Sequence, residues 1–301
     1  MTGHEFTLAD RIAKIQSINN LYDLENNAYV SFSGGKDSTV LHYLIDEALP
    51  GNKIPRVFIN TGIEYKLILK FVKEMASKDS RFVIWTVGKN IKETLNKVGY
   101  PFKNKEHSQK LYEWKRGNRN KSLLKYFREE PDGFNPCPKI LMYQKEPEFK
   151  LNVSHRCCIE FKKKPAKEYM KQSGRYITLT GMMKAEGGQR TTLNCIVTDK
   201  EGKLKKFHPM AIVSTEWENW YINHKSIQLA DLYYPPYNFT RSGCLMCPFS
   251  LDLQGQLDTL GQLMPEEKKR AEWLWKDIYD EYRRIGYRLR KEDKEQPSLF
   301  D

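Results

Sequence analysis

The sequence predicts an α/β fold, a parallel sheet with helices on both faces, followed by a mostly helical C-terminal region that carries a CxxC. The first observation behind this is the alternation of short apolar runs with helical stretches through the first third of the chain. The second is a glycine turn between the first such run and the helical stretch after it. The third is the pair Cys244 and Cys247, followed by a long charged helical stretch that starts at Pro265.

Leu8, Ile12, Ile15 and Ile18 recur at helical spacing within Phe6–Asn20, so a helix precedes the first strand. Ala28–Phe32 (AYVSF) reads as that strand, and Ser38–Glu47 (STVLHYLIDE) as the helix after the turn. Arg56–Asn60 (RVFIN) gives a second strand, about Tyr65–Ser77 a helix, and Phe82–Val87 (FVIWTV) a third strand. Tyr176–Thr180 (YITLT) carries the same strand signature and ends in Gly181. The stretch from Asn104 to Asn135 is strongly charged, contains KRGNRNK and lacks a strand pattern. It reads as an insertion or mobile helical segment over the active-site edge. The last helix, Pro265 to about Arg290, has Pro and two Glu at its start and arginines near its end, as the helix dipole favours. The expected division is a nucleotide-binding α/β domain over residues 1–205 and a cysteine-containing helical region over 206–301.

With 301 residues and 40% hydrophobic content the chain can bury one large core or two modest ones. No run of eighteen or more apolar residues appears and the N-terminus lacks a signal-peptide core, so no membrane partner and a cytoplasmic location are expected. The net charge of +12 suits a polyanionic partner such as nucleic acid, although the basic residues are spread along the chain and form no single arm.

Ser33, Gly34, Gly35, Lys36, Asp37, Ser38 and Thr39 fall at a strand-to-helix junction. The glycines let the backbone approach an anion, the helix N-terminus offers N–H groups, and Ser38 and Thr39 add hydroxyls, so this turn is a phosphate site. Its spacing is neither the Walker GxxxxGK[ST] nor the dinucleotide GxGxxG.

Of the six cysteines, Cys157 and Cys158 are adjacent within SHRCCIEF, while Cys244 and Cys247 form CxxC within RSGCLMCPF. Four grouped cysteines in a chain without a secretory signal point to a metal site, zinc or an iron–sulfur cluster. Adjacent cysteines chelate one small ion awkwardly but reach two irons of a cubane, which favours [4Fe-4S] over zinc. Cys137 and Cys195 lack partners and read as plain thiols; were either functional it would be Cys137, whose polar, proline-flanked loop could hold a persulfide. Trp217, Trp220 and Tyr221, and Tyr279, Tyr282, Arg283 and Arg284 of the last helix, could meet bases or a partner, but packing is the preferred reading for both groups.

The string SGGKDS resembles the PP-loop of ATP pyrophosphatases, which split ATP between its α and β phosphates, and the chain as a whole is similar to the adenine nucleotide alpha-hydrolase fold. The resemblance implies ATP and Mg2+ as cofactors. It puts Ser31 and Phe32 with the loop residues on the nucleotide, Lys36 on the charge of the leaving pyrophosphate, and Asp37 either on magnesium or on orientation of the loop. As a helix-start acid, Asp37 is equally explained by the dipole.

SFSGGKDST, FINTGIEY, RCCIEFKKKPAKEY, GMMKAEGGQR and LYYPPYNFTRSGCLMCPF together resemble the phosphoadenosine phosphosulfate reductase family over most of Ala28–Ser250. That resemblance implies that Cys157, Cys158, Cys244 and Cys247 bind a [4Fe-4S] cluster. It also implies that Thr61, Gly62 and Glu64, with Gly181, line the nucleotide side, and that Glu186 and Arg190 face the substrate phosphates, Arg190 in a catalytic role. Asn60 and Met183 depart from the family's usual aspartate and arginine, and Asn60 is kept among the nucleotide-side residues. The family's reductases carry a nucleophilic cysteine near the C-terminus, whereas no cysteine follows Cys247 here. An ATP pyrophosphatase that activates a nucleic acid for sulfur insertion is therefore expected. DNA phosphorothioation is favoured over tRNA thiolation, with a cysteine desulfurase as sulfur donor and other subunits of a modification complex as partners. A sulfonucleotide reductase that borrows an external thiol is the alternative, and a non-catalytic scaffold with a retained nucleotide pocket ranks third.

Overall fold

The structure, a computed structural model, describes residues 2–131, 133 and 135–291. Asp132 and Phe134, in the charged stretch expected as an insertion, lie outside the described residues, as does the terminal stretch 292–301 of the region expected from residue 206 onward.

In chain order the elements are helices α1 (Gly3–Tyr22) and α2 (Leu24–Asn27), strand β1 (Ala28–Ser31), α3 (Lys36–Ala48), β2 (Arg56–Asn60), α4 (Lys66–Lys78) and β3 (Phe82–Thr86). There follow α5 (Ile91–Val98), α6 (Lys105–Lys115), α7 (Lys121–Tyr126), α8 (Lys164–Ser173) and β4 (Ile177–Leu179). Strands β5 (Ile196–Thr198) and β6 (Leu204–Phe207) and helices α9 (Thr215–His224), α10 (Leu253–Leu263) and α11 (Pro265–Ile285) complete the chain. Thr2 and Glu5 cap α1 reciprocally, and Gly286, at φ +64°, ends α11.

Two compact units share the sequence in alternation. The first comprises Met1–Val87 and Lys164–Gly243, the second Gly88–Lys163 and Cys244–Asp301. The boundary expected at 205/206 falls inside β6 of the first unit.

The first unit holds the six-stranded sheet, in the order β3-β2-β1-β4-β6-β5. All neighbouring pairs are parallel except β5 with β6. Period-2 alternation along β1 sends Ala28 and Val30 to one face and Tyr29 to the other. Ala28 and Val30 join a core with Ile15, Leu41, Ile45, Leu179, Phe207 and Tyr221, contributed by α1, α3, β4, β6 and α9. Tyr29 packs with Val57 and Tyr169, the last from α8, so helices cover both faces as expected. Strand β2 has the expected bounds; β5 and β6 are short strands that the sequence reading did not identify.

Where α3 meets β2, buried Arg56 bonds Asp46 at 2.6 Å and donates to His42 Nδ1 at 3.1 Å, while Arg81 binds both oxygens of Asp46 at 2.7 and 2.8 Å.

The second unit is helical. The charged stretch forms α6 and α7 and contributes Leu111, Trp114, Leu123, Tyr126 and Phe127 to the buried interior. The stretch is helical, one of the two forms expected of it, and its apolar side chains are packed. One face of α11 is aromatic at helical spacing, and Trp275, Tyr279 and Tyr282 are all buried.

Candidate functional site

The turn between β1 and α3 opens onto a cavity of about 570 Å3 within the first unit. Ser33, Gly35, Lys36, Asp37 and Ser38 line it from the loop, Glu186 and Arg190 from the segment after β4, and Glu218, Tyr233 and Arg241 from α9 and the chain beyond. The loop is held by its own hydroxyls. Ser38 Oγ accepts from Ser33 N at 3.1 Å, Gly35 N donates to Ser33 Oγ at 3.3 Å, and Ser38 and Thr39 both bond the Gly35 carbonyl. Tyr233 OH accepts from Lys36 N at 3.2 Å. The backbone N–H groups of the first turn of α3 have no partner within the helix, and a helix start of this kind is suited to phosphate.

Three cationic side chains border the cavity, Lys36, Arg190 and Arg241. Lys36 Nζ is 2.8 Å from Glu218 Oε2, Arg190 is ion-paired with Glu186, and Arg241 Nη2 lies 4.0 Å from the same Glu186. Burial, opposed by hydrogen bonding to Lys36 and reinforced by the nearby Asp37 carboxylate, pushes Glu218 up to about 7.

Several residues expected on the nucleotide have packing or turn roles and do not line this cavity. Phe32 is buried edge-on against Phe82 and packed near Phe71, a core position. Gly34 sits at φ +70°, and a Cβ there would come within 2.8 Å of Ile68 Cγ2, so it seats the loop on α4. A Cβ on Gly181 would meet the Asp37 carbonyl oxygen at 2.4 Å, so this glycine lets the end of β4 pass against the loop. Thr39 is buried with its hydroxyl on Gly35. Ser31, the exposed last residue of β1, is likewise outside the cavity lining. Asn60, Thr61, Gly62 and Glu64 close a turn after β2, with Thr61 donating through N and Oγ1 to the two Glu64 oxygens at 3.1 and 2.6 Å and Gly62 N to Asn60 Oδ1 at 3.2 Å. They too lie outside this cavity.

Glu218, Tyr233, Thr215 and Ser242 line the cavity but were not among the expected site residues. Glu218 could have been noticed as the one acidic residue on the inner side of TEWENWYI, between Trp217 and Tyr221. Both of those aromatics are buried and packed, as expected: Trp217 Nε1 donates to the His4 carbonyl and Tyr221 OH to Glu47.

All four grouped cysteines fall in the second unit. Cys157 Sγ and Cys158 Sγ are 4.0 Å apart, and Cys247 N donates to the Cys244 carbonyl at 3.2 Å. The pairs are electrostatic neighbours, because Cys244 and Cys247 act on Cys157, and Cys158 acts on Cys247. A hydrogen bond from Cys157 and the charges of Lys105, Lys162 and Lys163 bring Cys158 down to about 6, against its burial, while burial and the other thiols drive Cys247 up to about 12. Among the described residues no three His, Cys, Asp or Glu side chains converge tightly enough to hold one metal ion. The donor set, four soft sulfurs of which Cys157 is buried and the other three are half-buried, beside Lys105, Lys162 and Lys163, fits a cluster or soft metal.

Helix α11 supports the CxxC loop from beneath. Trp275 donates to the Leu245 carbonyl at 2.9 Å, Tyr279 to Met246 at 2.5 Å and Tyr282 to Pro248 at 2.9 Å, so the aromatic stripe has the packing role preferred for it. Cys137 is fully buried 3.9 Å from His107 Nδ1, and burial pushes its thiol up to about 11. An enclosed, protonated thiol is not the exposed persulfide carrier considered for it.

A family model describing the phosphoadenosine phosphosulfate reductase domain matches residues 27–130 and 138–250. Over 95% of its length the chain is 26% identical to an uncharacterized protein of Methanocaldococcus jannaschii, and it spans 62% of that protein, less than two thirds. Among solved structures it is similar to phosphoadenylyl-sulfate reductase from Candida auris in a phosphate complex, at 15% identity and a TM-score of 0.41, over 72% of this chain and 82% of that one. It is also similar to the U34-tRNA thiolase NcsA from Methanococcus maripaludis with its [4Fe-4S] cluster, at 13% identity and a TM-score of 0.40, over 94% of this chain and 80% of that one. Both structural likenesses are distant.

Proposed function

The chain belongs to the phosphoadenosine phosphosulfate reductase domain family, and on that premise we propose that it is an ATP pyrophosphatase that adenylates a nucleic-acid acceptor for sulfur insertion. It is a PP-loop enzyme concerned with sulfur; the reaction and the acceptor are the proposal. The observation that carries the reading is that Ser33, Gly35, Lys36, Asp37 and Ser38 line one cavity together with Arg190 and Arg241. A site for an already activated nucleotide has less need of such a complete pyrophosphate loop.

In this reading the start of α3 and the Ser33 and Ser38 hydroxyls hold the β and γ phosphates, and Lys36 and Arg190 neutralise the charge that grows on them. An acceptor oxygen attacks the α phosphorus. Its O–P bond forms as the α–β P–O bond breaks, and pyrophosphate leaves. The terminal sulfur of a persulfide delivered by a cysteine desulfurase then displaces the adenylylated oxygen, which departs as part of AMP, and an external thiol cleaves the resulting S–S bond, leaving sulfur on the acceptor and the donor cysteine in a disulfide with that thiol. Asp37 offers hard oxygen donors for Mg2+ at the phosphates. Cys157, Cys158, Cys244 and Cys247 would hold a [4Fe-4S] cluster in preference to zinc, and the cluster would supply redox-active iron.

The net charge of +12 supports a nucleic acid as acceptor. DNA phosphorothioation, in a cytoplasmic complex with further subunits, is the favoured setting, with tRNA thiolation as the variant. No helix among the described residues is long and apolar enough to cross a membrane.

A second reading, a sulfonucleotide reductase served by an external thiol, is favoured by the family description itself. ATP binding by anaerobic, cluster-loaded protein separates the two. Retention of ATP together with failure to reduce adenylylsulfate or its phosphorylated form with thioredoxin supports the pyrophosphatase; no ATP binding and active reduction would replace it.

A further inference from the structure

Helix α9 carries one stripe past the loop. Thr215 and Glu218 line the phosphate cavity, and one turn further along Asn219, Ile222 and Asn223 line a second cavity of about 740 Å3 in the same unit. Lys36, Tyr233 and Thr240 border both, so the two spaces meet at the lysine of the loop.

The second cavity has a chemistry of its own. Asn219, Asn223 and Gln228 bring three primary amides to it, and none of these side chains has a hydrogen-bond partner among the described residues. Each amide offers donors and an acceptor. Ile222, Leu229 and Phe239 add apolar wall, and Tyr234 adds a ring that is 38% exposed. Tyr234 OH accepts from Leu229 N at 3.1 Å and Phe239 packs edge-on against Tyr65, so both rings are held in place. Lys36 is the one charged residue of the described lining. A ligand for this space is flat and apolar on its faces, polar and uncharged at its edge, and joined to an anion that meets Lys36. A nucleobase on its sugar-phosphate chain has that chemistry, since its face stacks on an aromatic ring and its edge pairs with Asn or Gln.

The surroundings favour a strand over a mononucleotide. Asn219, Asn223, Gln228, Tyr234 and Thr240 are exposed, so a base enters from the side without needing a chain end. Tyr65, on which Phe239 packs, stands at the start of α4, and Lys70 of that helix bonds Asp231 at 3.1 Å beside the cavity wall. Lys66, Lys70 and Lys73 recur at helical spacing on the exposed face of α4, a row of cations suited to a phosphodiester backbone.

We propose that the second cavity is the subsite for a nucleobase of the acceptor strand, taken out of its stack and held by the ring of Tyr234 and the amides of α9 beside Lys36. That the base belongs to the acceptor rests on the pyrophosphatase reading; that the cavity takes a base of a strand does not.

The probes are a fluorescein-labelled single strand of about ten nucleotides, as DNA and as RNA, and a strand of equal length without bases. Their affinity for the purified, cluster-loaded protein is read by fluorescence anisotropy. The parent protein is expected to bind a base-bearing strand about tenfold more tightly than the abasic one. The double variant Asn219→Ala with Asn223→Ala, and Tyr234→Ala, bind both strands alike at the abasic level, while their affinity for ATP stays that of the parent. Both asparagines are exposed, so the double variant decides the matter even where Tyr234→Ala fails to fold. Equal binding of base-bearing and abasic strands by the parent, or a preference that the double variant leaves in place, would overturn the subsite. So would a double variant that loses affinity for ATP but not for tripolyphosphate, which assigns the cavity to the base of ATP itself. Release of AMP is measured in parallel. AMP release without base-dependent strand binding removes the subsite and leaves the pyrophosphatase reading; base-dependent binding abolished by the double variant, with no AMP released, keeps the base site and removes that reading.

Discussion

Glu218 Oε2 lies 2.8 Å from Lys36 Nζ, so the cation that the loop presents to phosphate is held by a fully buried carboxylate. The contact fixes the lysine over the cavity, where it can be handed to an arriving anion with little reorganisation. Lys36→Ala is therefore expected to lower ATP consumption by about 10²-fold or more, with Lys36→Arg retaining part of it. Steady-state release of AMP checks this, and unchanged turnover in Lys36→Ala would remove the lysine from the reaction.

Gly181 and Gly34 seat the loop by close approach. A methyl group at Gly181 would stand 2.4 Å from the Asp37 carbonyl oxygen, a backbone atom that cannot rotate aside, and one at Gly34 would press on Ile68 and Val72 from a φ of +70°. Gly181→Ala is expected to destabilise the fold by roughly 2–4 kcal/mol and Gly34→Ala by roughly 1–3 kcal/mol. Thermal melts of Gly51→Ala, which also has positive φ but open space around it, give the control for backbone strain alone.

Stability should fall with acid in two stages. Burial and the neighbouring Arg56 push His42 down to about 4 from its ordinary 6.5, against the raising influence of Asp46 and Asp79. His208 is brought down to about 4 by burial and Lys206. Burial would raise Asp46, but Arg81 and Arg56 hold it below the ordinary 3.8, and a hydrogen bond from Arg81 does the same for Asp79. For all four the unfolded chain binds protons more readily. The histidine contributions are thus whole above pH 6.5 and lost as pH falls toward 4, and the aspartate contributions are lost only below about 4. Melts from pH 8 to 3 should show Tm declining from about pH 6.5 downward, with His42 alone accounting for a loss of unfolding free energy on the order of 1–3 kcal/mol, and His42→Gln should flatten part of that upper stage. A Tm constant from pH 7 to 4.5 would contradict the assignment.

The cysteine site makes its own prediction. Iron analysis of anaerobically purified protein should give about four irons per chain, and each single serine substitution at Cys157, Cys158, Cys244 or Cys247 should lower it substantially. Cys137→Ser and Cys195→Ser should leave it unchanged. Tyr279→Phe, which removes only the hydroxyl on the Met246 carbonyl, should keep the iron but speed its loss to chelator.

β2 in RVFIN, α3 behind the glycine turn and, in the second unit, the start of α11 at Pro265 were legible because each carries a local signal, whereas the end of α11 at Gly286 was missed and the helix expected to about Arg290. Ser33, Gly35, Lys36, Asp37, Ser38, Glu186 and Arg190 were legible as strings, and they do line one cavity. Glu218 and Tyr233 were not, because what brings them to Lys36 is the packing of α9 and the following chain on the sheet, a long-range arrangement without local pattern. Strands β5 and β6 are three and four residues long, too short for period 2 to be told from chance. For Cys137 local polarity misled, since its proline-flanked loop is enclosed by Tyr126 and His107 from distant turns.

The central claim, that the loop uses ATP to activate a nucleic acid, is tested most directly by analysing nucleotides after incubating the anaerobic protein with ATP and Mg2+, alone and with plasmid DNA or bulk tRNA. The account predicts AMP and pyrophosphate in equal amounts, stimulated by one nucleic acid and lost in Lys36→Ala. ATP left intact in every mixture, from protein that carries its cluster and reduces a sulfonucleotide with thioredoxin, would contradict it.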